Sequence, residues 1–291
     1  MAMACLSAQA QLLYRISGRD LQAPSYIVGT YHLAEVGFVD SVPGLRQAMA
    51  DCQQVYGELN MANLANPDTM MRLQQAMMLP EGTTLQSLFS PDELTRLNAH
   101  LTALLGTDLS NPMLAEQLNR LTPTALNTQL ALLAYIKKHP GFDPQNLFDA
   151  HFQTTALMQG KPVGGLETIG FQVQTLYLGQ TLERQKQLLM CSVDNPDFTE
   201  RAVELVITSF YAQDLDGLQR ALDLKMNSQC DSSPEEEDKL IYGRNAQWIK
   251  QMVAIMANKP TLFAVGAGHL PGERGVLNLL RLAGYTVEGV R

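Results

Sequence analysis

Two histidines in matching short contexts could do chemistry together. The stretch Val28-Gly29-Thr30-Tyr31-His32-Leu33 returns near the far end of the chain as Val265-Gly266-Ala267-Gly268-His269-Leu270. Each is a G-x-x-H-L that follows an apolar run with strand character, Ser25-Tyr26-Ile27-Val28 in one case and Thr261-Leu262-Phe263-Ala264-Val265 in the other. After each histidine come a glycine-containing loop, a short helical pattern and a strand-like run ending near a glutamate, Glu58 or Glu288. Repetition of so long a pattern points to two related half-sites. Glycine at a strand terminus permits a sharp turn and close backbone approach, so each histidine is aimed out at the rim of a sheet, where sites are built.

Two strand-end imidazoles and a neighbouring carboxylate supply nitrogen and oxygen ligands for a divalent metal and leave room for a water. A water so held loses its proton near pH ~7 and becomes a nucleophile. Glu58 is the first choice of carboxylate and Glu167 the second; one can bind metal while the other accepts the proton. A single strand-end histidine is adequately explained as a structural hydrogen-bonding residue. Two in the same context are better explained as convergent groups of one site. His100, His139 and His151 lack that context and read as surface or helix-packing residues, and Glu288, close to the C-terminus, reads as solvent-exposed. In Tyr242-Gly243-Arg244-Asn245-Ala246-Gln247-Trp248, placed in a long helix, Arg244 could clamp an oxygen and Asn245 could orient a ligand. Taken alone, the same stretch reads as a surface arginine with Trp248 facing the core.

The elements that must position these groups can be traced along the chain. Strands are expected over Gln11 to Ile16, Ser25 to Val28 and Gln53 to Leu59, with a helix from Pro43 to Asp51 that uses Pro43 in its first turn. From about Pro67 to Asn258 helical patterns take over. Ser90-Pro91-Asp92-Glu93 joins a serine cap, a first-turn proline and a carboxylate three residues after the cap, and Thr122-Pro123 and Ser233-Pro234 repeat the cap and proline. Leu126, Leu130, Leu133 and Ile136 form a core-facing stripe at helical spacing. One more strand is expected within Pro162 to Glu167, followed by a helix from about Ile169. The fold class is therefore α/β (mixed): one domain over 11–291, its central sheet built from N- and C-terminal strands, with a helical insertion at about 61–258.

Composition narrows the partners. At 291 residues the chain can bury roughly three quarters of its unfolded surface. With 46% hydrophobic and 17% charged residues it has the make-up of a globular protein. A net charge of -8 without a Lys/Arg cluster argues against nucleic acid. The run Glu235-Glu236-Glu237-Asp238 reads as a solvated helix start. No apolar run approaches the ~20 residues of a membrane span. Ala8-Gln9-Ala10 resembles a processing site, which makes residues 1–10 the remnant of an export leader and the protein an envelope or periplasmic one. Cys191 and Cys230 could pair after export, or remain buried thiols.

Taken in order, Gly29-Thr30-Tyr31-His32-Leu33, Tyr56-Gly57-Glu58-Leu59, Gly165-Leu166-Glu167-Thr168 with Gln172, Arg244-Asn245 and Gly266-Ala267-Gly268-His269-Leu270 with Gly272 and Gly275 resemble the TraB/GumN family, which includes the TIKI metalloproteases. The resemblance runs from about Leu12 to Val290. It implies a mixed α/β fold and, for the TIKI members, metal-dependent peptidase activity on a secreted signal. Carried onto this chain, it implies His32, His269 and Glu58 as metal ligands, Glu58 or Glu167 as the acidic catalytic partner, and Arg244 and Asn245 near the pocket. The function expected is a metal-dependent hydrolase acting on a peptide or protein substrate. The alternative is a non-catalytic peptide- or haem-binding envelope protein, reasoned by fold analogy.

Overall fold

The computed structural model describes residues 11–63 and 66–291. Ala8-Gln9-Ala10 and Cys5 lie outside the described residues. The chain forms a six-stranded sheet flanked by helices: β1 (Leu13–Ser17), β2 (Ser25–Thr30), β3 (Gln54–Gly57), β4 (Val163–Gly165), β5 (Thr261–Gly266) and β6 (Thr286–Gly289). The helices that position the site are α1 (Leu45–Asp51), α2 (Phe148–Met158), α3 (Ile169–Leu176), α4 (Gly243–Asn258) and α5 (Val276–Leu282). Strand order is β4-β3-β5-β2-β1-β6, parallel from β4 through β2, with β1 antiparallel to both neighbours. The first and last strand segments thus share one sheet, as the mixed α/β reading requires.

β2 is buried at all six positions because both faces of the sheet are covered. Side-chain alternation divides it: Tyr26 and Val28 join Leu262 and Ala264 in one core, while Ile27 joins Phe263 and Val265 in the other. Leu45, Ala48 and Met49 of α1 cover the first face, and Val276, Leu277 and Leu280 of α5 the second. The reason is directional. The β2-α1-β3 connection runs across β5, whereas β5-α5-β6 runs the opposite way across β2 and β1, so crossovers of one hand must use opposite faces. The two connections diverge at the carboxyl ends of β2 and β5, the kind of switch point at which open α/β sheets place their sites.

The stretch between β3 and β5 has a separate apolar core, formed mainly by the helices Pro91–Leu105, Pro123–Lys138 and Leu182–Asp194. Among its segments, β4, α2 and α4 return to the sheet. The Ser90 and Glu93 capping box forms as expected, with each side chain accepting the other's backbone N–H at 3.3 Å and 2.8 Å. Three expectations are corrected. The stripe on Pro123–Lys138 is narrower: Leu126 and Leu130 are buried, but Leu133 and Ile136 are exposed, and Tyr135 takes the inward position. Pro43 is not in the first turn of α1, because Gly44 at φ 71° sets the helix to begin at Leu45. Glu236 is not simply solvated: Arg184 donates to both of its oxygens at 2.9 Å and holds its carboxyl down at about 2.

Arg184 also donates to the carbonyls of Gln229 and Asp231, and Cys191 is disulfide-bonded to Cys230 in the same segment. Cys52 is a buried free thiol. No helix among the described residues is long and apolar enough to cross a membrane.

Candidate functional site

Four sequence-predicted groups follow four adjacent parallel strands at their carboxyl ends. Glu167 follows β4, Glu58 follows β3, His269 follows β5 and His32 follows β2. The register aligns the strand ends, with Gly57 opposite both Gly165 and Ala264, and Thr30 opposite Gly266. Gly29 has no room for a side chain: a Cβ there would lie 2.9 Å from Leu270 Cδ1 and 3.0 Å from Ala267 Cβ. The missing side chain lets the turn of the second motif rest directly on the first.

Arg244 is the cation at the centre. Although one reading placed it on the surface, it is 6% exposed. Its Nε donates to Glu167 Oε1 at 2.7 Å, and its Nη2 to Glu167 Oε2 at 3.0 Å and Glu58 Oε2 at 2.5 Å. The Arg244 Nη1 group donates to Leu240 O, inside a π-helical turn at Asp238–Tyr242 that widens the backbone just ahead of α4. Glu167 further accepts from Trp248 Nε1 at 2.8 Å, and Gln172 of α3 donates to both glutamates at 3.2 Å. Glu58 Oε1 accepts the Gly266 N–H at 2.9 Å. Burial would raise the Glu58 carboxyl, but Arg244, the Gly266 amide and the charge of His32 outweigh it and hold the group below the ordinary carboxylate range.

The protonation of His269 follows from its partners. Arg244 Nη1 lies 3.2 Å from Nε2 and can only donate, so Nε2 is the accepting nitrogen. The proton is therefore on Nδ1, which donates to Asn245 Oδ1 at 2.7 Å. Asn245 is oriented in turn by donation from Nδ2 to the carbonyls of His269 and Arg274. Desolvation pushes the His269 ring down to about 4, so it is neutral. His32 differs, with 78% of its side chain exposed and Nδ1 2.6 Å from Asp149 Oδ2. That hydrogen bond, with the charge of Asp149 and the nearby Glu58, raises His32 to about 9.

Whether a divalent metal suits these residues can be judged from the donors. Both histidines have Nδ1 committed to an oxygen, the usual outer-shell arrangement of metal-binding imidazoles, although Nε2 of His269 already accepts from Arg244. Glu58 supplies an ionised oxygen 3.9 Å from His269 Nε2. The donor set fits. As they stand, no group of three His, Cys, Asp or Glu side chains among the described residues lies close enough together to hold an ion; the cation between Glu58 and His269 is the Arg244 guanidinium.

Glu288 is largely exposed and lies outside the cluster. His139 packs against the ring of Tyr135, and His151 meets Phe152 edge-on. The sequence reading missed Asp149, which no motif marks, and the bond from Trp248 to Glu167, hidden behind an expectation that the ring serves the core.

The profile of the TraB/PrgY/gumN family matches residues 12–289. The chain is 27% identical to metalloprotease TIKI1 of Danio rerio over 91% of its own length and 60% of that relative. It is 28% identical to metalloprotease TIKI1 of Homo sapiens, over 91% and 59%, and 24% identical to the metalloprotease TIKI homolog of Nematostella vectensis, over 92% and 65%. The chain thus spans about three fifths of the length of these curated relatives. No solved structure matches it. With its full row of strand-end groups and a family profile covering nearly every residue, the chain belongs to the TraB/PrgY/gumN family.

Proposed function

We propose that the protein is a metal-dependent hydrolase that cleaves a peptide or protein substrate outside the cytoplasm, with His32, His269 and Glu58 as ligands of a divalent ion. The observation that carries this reading is the row of Glu167, Glu58, His269 and His32 along one sheet edge, with its two imidazole tautomers set by outer-shell oxygens. Charge supports it as well. Glu58, Glu167 and Asp149 contribute three negative charges against two positive charges, on Arg244 and the His32 imidazolium, which leaves one negative charge over. A cation at this edge can supply that balance.

When bound, a divalent ion supplies Lewis acidity and lowers the pKa of a coordinated water. The protein groups do the rest. Asn245 fixes the His269 ring, and Glu167 with Trp248 fixes Arg244. Arg244, whose five N–H groups are all engaged, in turn holds Glu58 and Glu167 in place. Glu58, held ionised, has the carboxylate lone pairs needed to accept a proton or a metal ion. A recess beside Glu167, lined by Asn60, Asn63, Asn66, Thr69 and Thr168, offers side-chain amides to a peptide backbone. The relatives named as metalloproteases support the reaction class. The Cys191 disulfide suits an oxidising compartment.

Incubation of the protein with a peptide library, read by mass spectrometry, tests the proposal. Metal-dependent cleavage that chelation stops is expected. Peptides bound but recovered intact would overturn the hydrolase and support the ligand-binding alternative.

A further inference from the structure

Asp149 belongs to neither copy of the repeated motif, yet it holds the first motif's histidine across 117 positions of sequence. Its placement is built into the fold. The neighbouring Phe148 is fully buried against Phe38, Phe152 and Phe210. Phe148 N–H donates to Ala34 O at 2.9 Å, and Val36 N–H donates to Asn146 O at 3.0 Å. These bonds flank a β-bridge between Glu35 and Leu147. A short antiparallel tie therefore begins just after His32 and ends just before Asp149. Asp149 also stands in the first turn of α2, beside the partial positive charge of the helix N-terminus.

An ionised carboxylate can only accept, so the proton of the 2.6 Å contact belongs to His32 Nδ1. We infer that Asp149 is a positioning residue for His32: it fixes the ring orientation and the Nδ1–H tautomer, and so reserves Nε2 for a ligand. This inference rests on the metal-site reading of the sheet edge. Asn245 performs the corresponding task for His269, from a different helix and with a neutral oxygen. Each half-site therefore carries its own tautomer lock, anchored in a different core.

The test combines a readout that needs no metal with one that does. The first is long-range proton–nitrogen correlation spectroscopy of the histidine rings at alkaline pH, where the imidazoles are neutral. The second is Zn2+ affinity, measured by competition with a chelator. Asp149→Ala is expected to move His32 to the Nε2–H tautomer and to weaken Zn2+ binding by about 10- to 100-fold. Asp149→Asn, whose amide oxygen accepts the same proton, should retain the tautomer and most of the affinity. An unchanged His32 tautomer in Asp149→Ala would overturn the inference, as would equal losses in the two variants. If the wild-type protein binds no Zn2+, the metal reading fails, while the tautomer measurement still decides the role of Asp149.

Discussion

Arg244 and Glu167 meet fork to fork, Nε to Oε1 at 2.7 Å and Nη2 to Oε2 at 3.0 Å, with both side chains almost sealed from water. The pair spans 77 residues and ties α4 to the loop after β4. Removing the guanidinium leaves two buried carboxylates without their directly paired cation. Arg244→Ala should therefore destabilise the protein by about 3–5 kcal/mol in urea denaturation. Arg244→Lys should recover little, because an ammonium cannot reproduce the planar fork across Glu58 and Glu167. A loss below about 1 kcal/mol in Arg244→Ala, the size of an ordinary substitution, would show that the arginine does not neutralise them.

The two motifs meet at Gly29, where an added methyl would press on Ala267 and Leu270. Gly29→Ala should cost about 1–3 kcal/mol by overpacking, and it should shift the backbone amide resonances of residues 266–270. An unperturbed spectrum would mean that the turn does not rest on β2.

Acid should weaken the fold through His269. Its ring is held down at about 4 against an ordinary value of 6.5. Between those values the unfolded chain binds a proton that the folded chain refuses, so this contribution is complete above pH ~6.5 and declines as pH falls toward 4. The full effect is on the order of 3 kcal/mol. His32 runs the other way, since its pairing with Asp149 stabilises at low pH and fades as pH rises through about 9. Urea midpoints of metal-free protein at pH 7 and 4.5 should therefore differ less in His269→Asn than in wild type. Equal differences would contradict the neutral, buried assignment.

Local signals in the sequence were enough for much of this arrangement. A glycine bend and a histidine after an apolar strand place His32 and His269 at strand ends, because both effects act within a few residues. The Ser90 cap was readable for the same reason. The burial of Arg244 was not, since it depends on carboxylates 77 and 186 residues away. Asp149 was invisible because its contact with His32 arises from an antiparallel tie that has no sequence pattern of its own. The stripe on Pro123–Lys138 failed at Leu133 and Ile136 because periodicity marks one face of a helix but not how far its neighbours extend. Cysteine spacing alone left the partners of Cys191 and Cys230 open. Their bond became evident only with the fold that brings the two segments together.

That disulfide closes a segment with a sequence separation of 39, whose end at Cys230 is flanked by the Gln229 and Asp231 carbonyls that Arg184 binds. On the loop-entropy account, such a closure contributes about 4 kcal/mol. The double variant Cys191→Ser/Cys230→Ser should melt at a clearly lower temperature than wild type and lose all sensitivity to reductant. A wild-type melting temperature unchanged by reductant would contradict a stabilising disulfide.

Metal content per chain, measured by elemental mass spectrometry after loading with a divalent ion and removal of the excess, tests the central claim most directly. The account predicts one equivalent in the wild-type protein and its loss in both His32→Ala and His269→Ala. Retention of a full equivalent in both variants would contradict it.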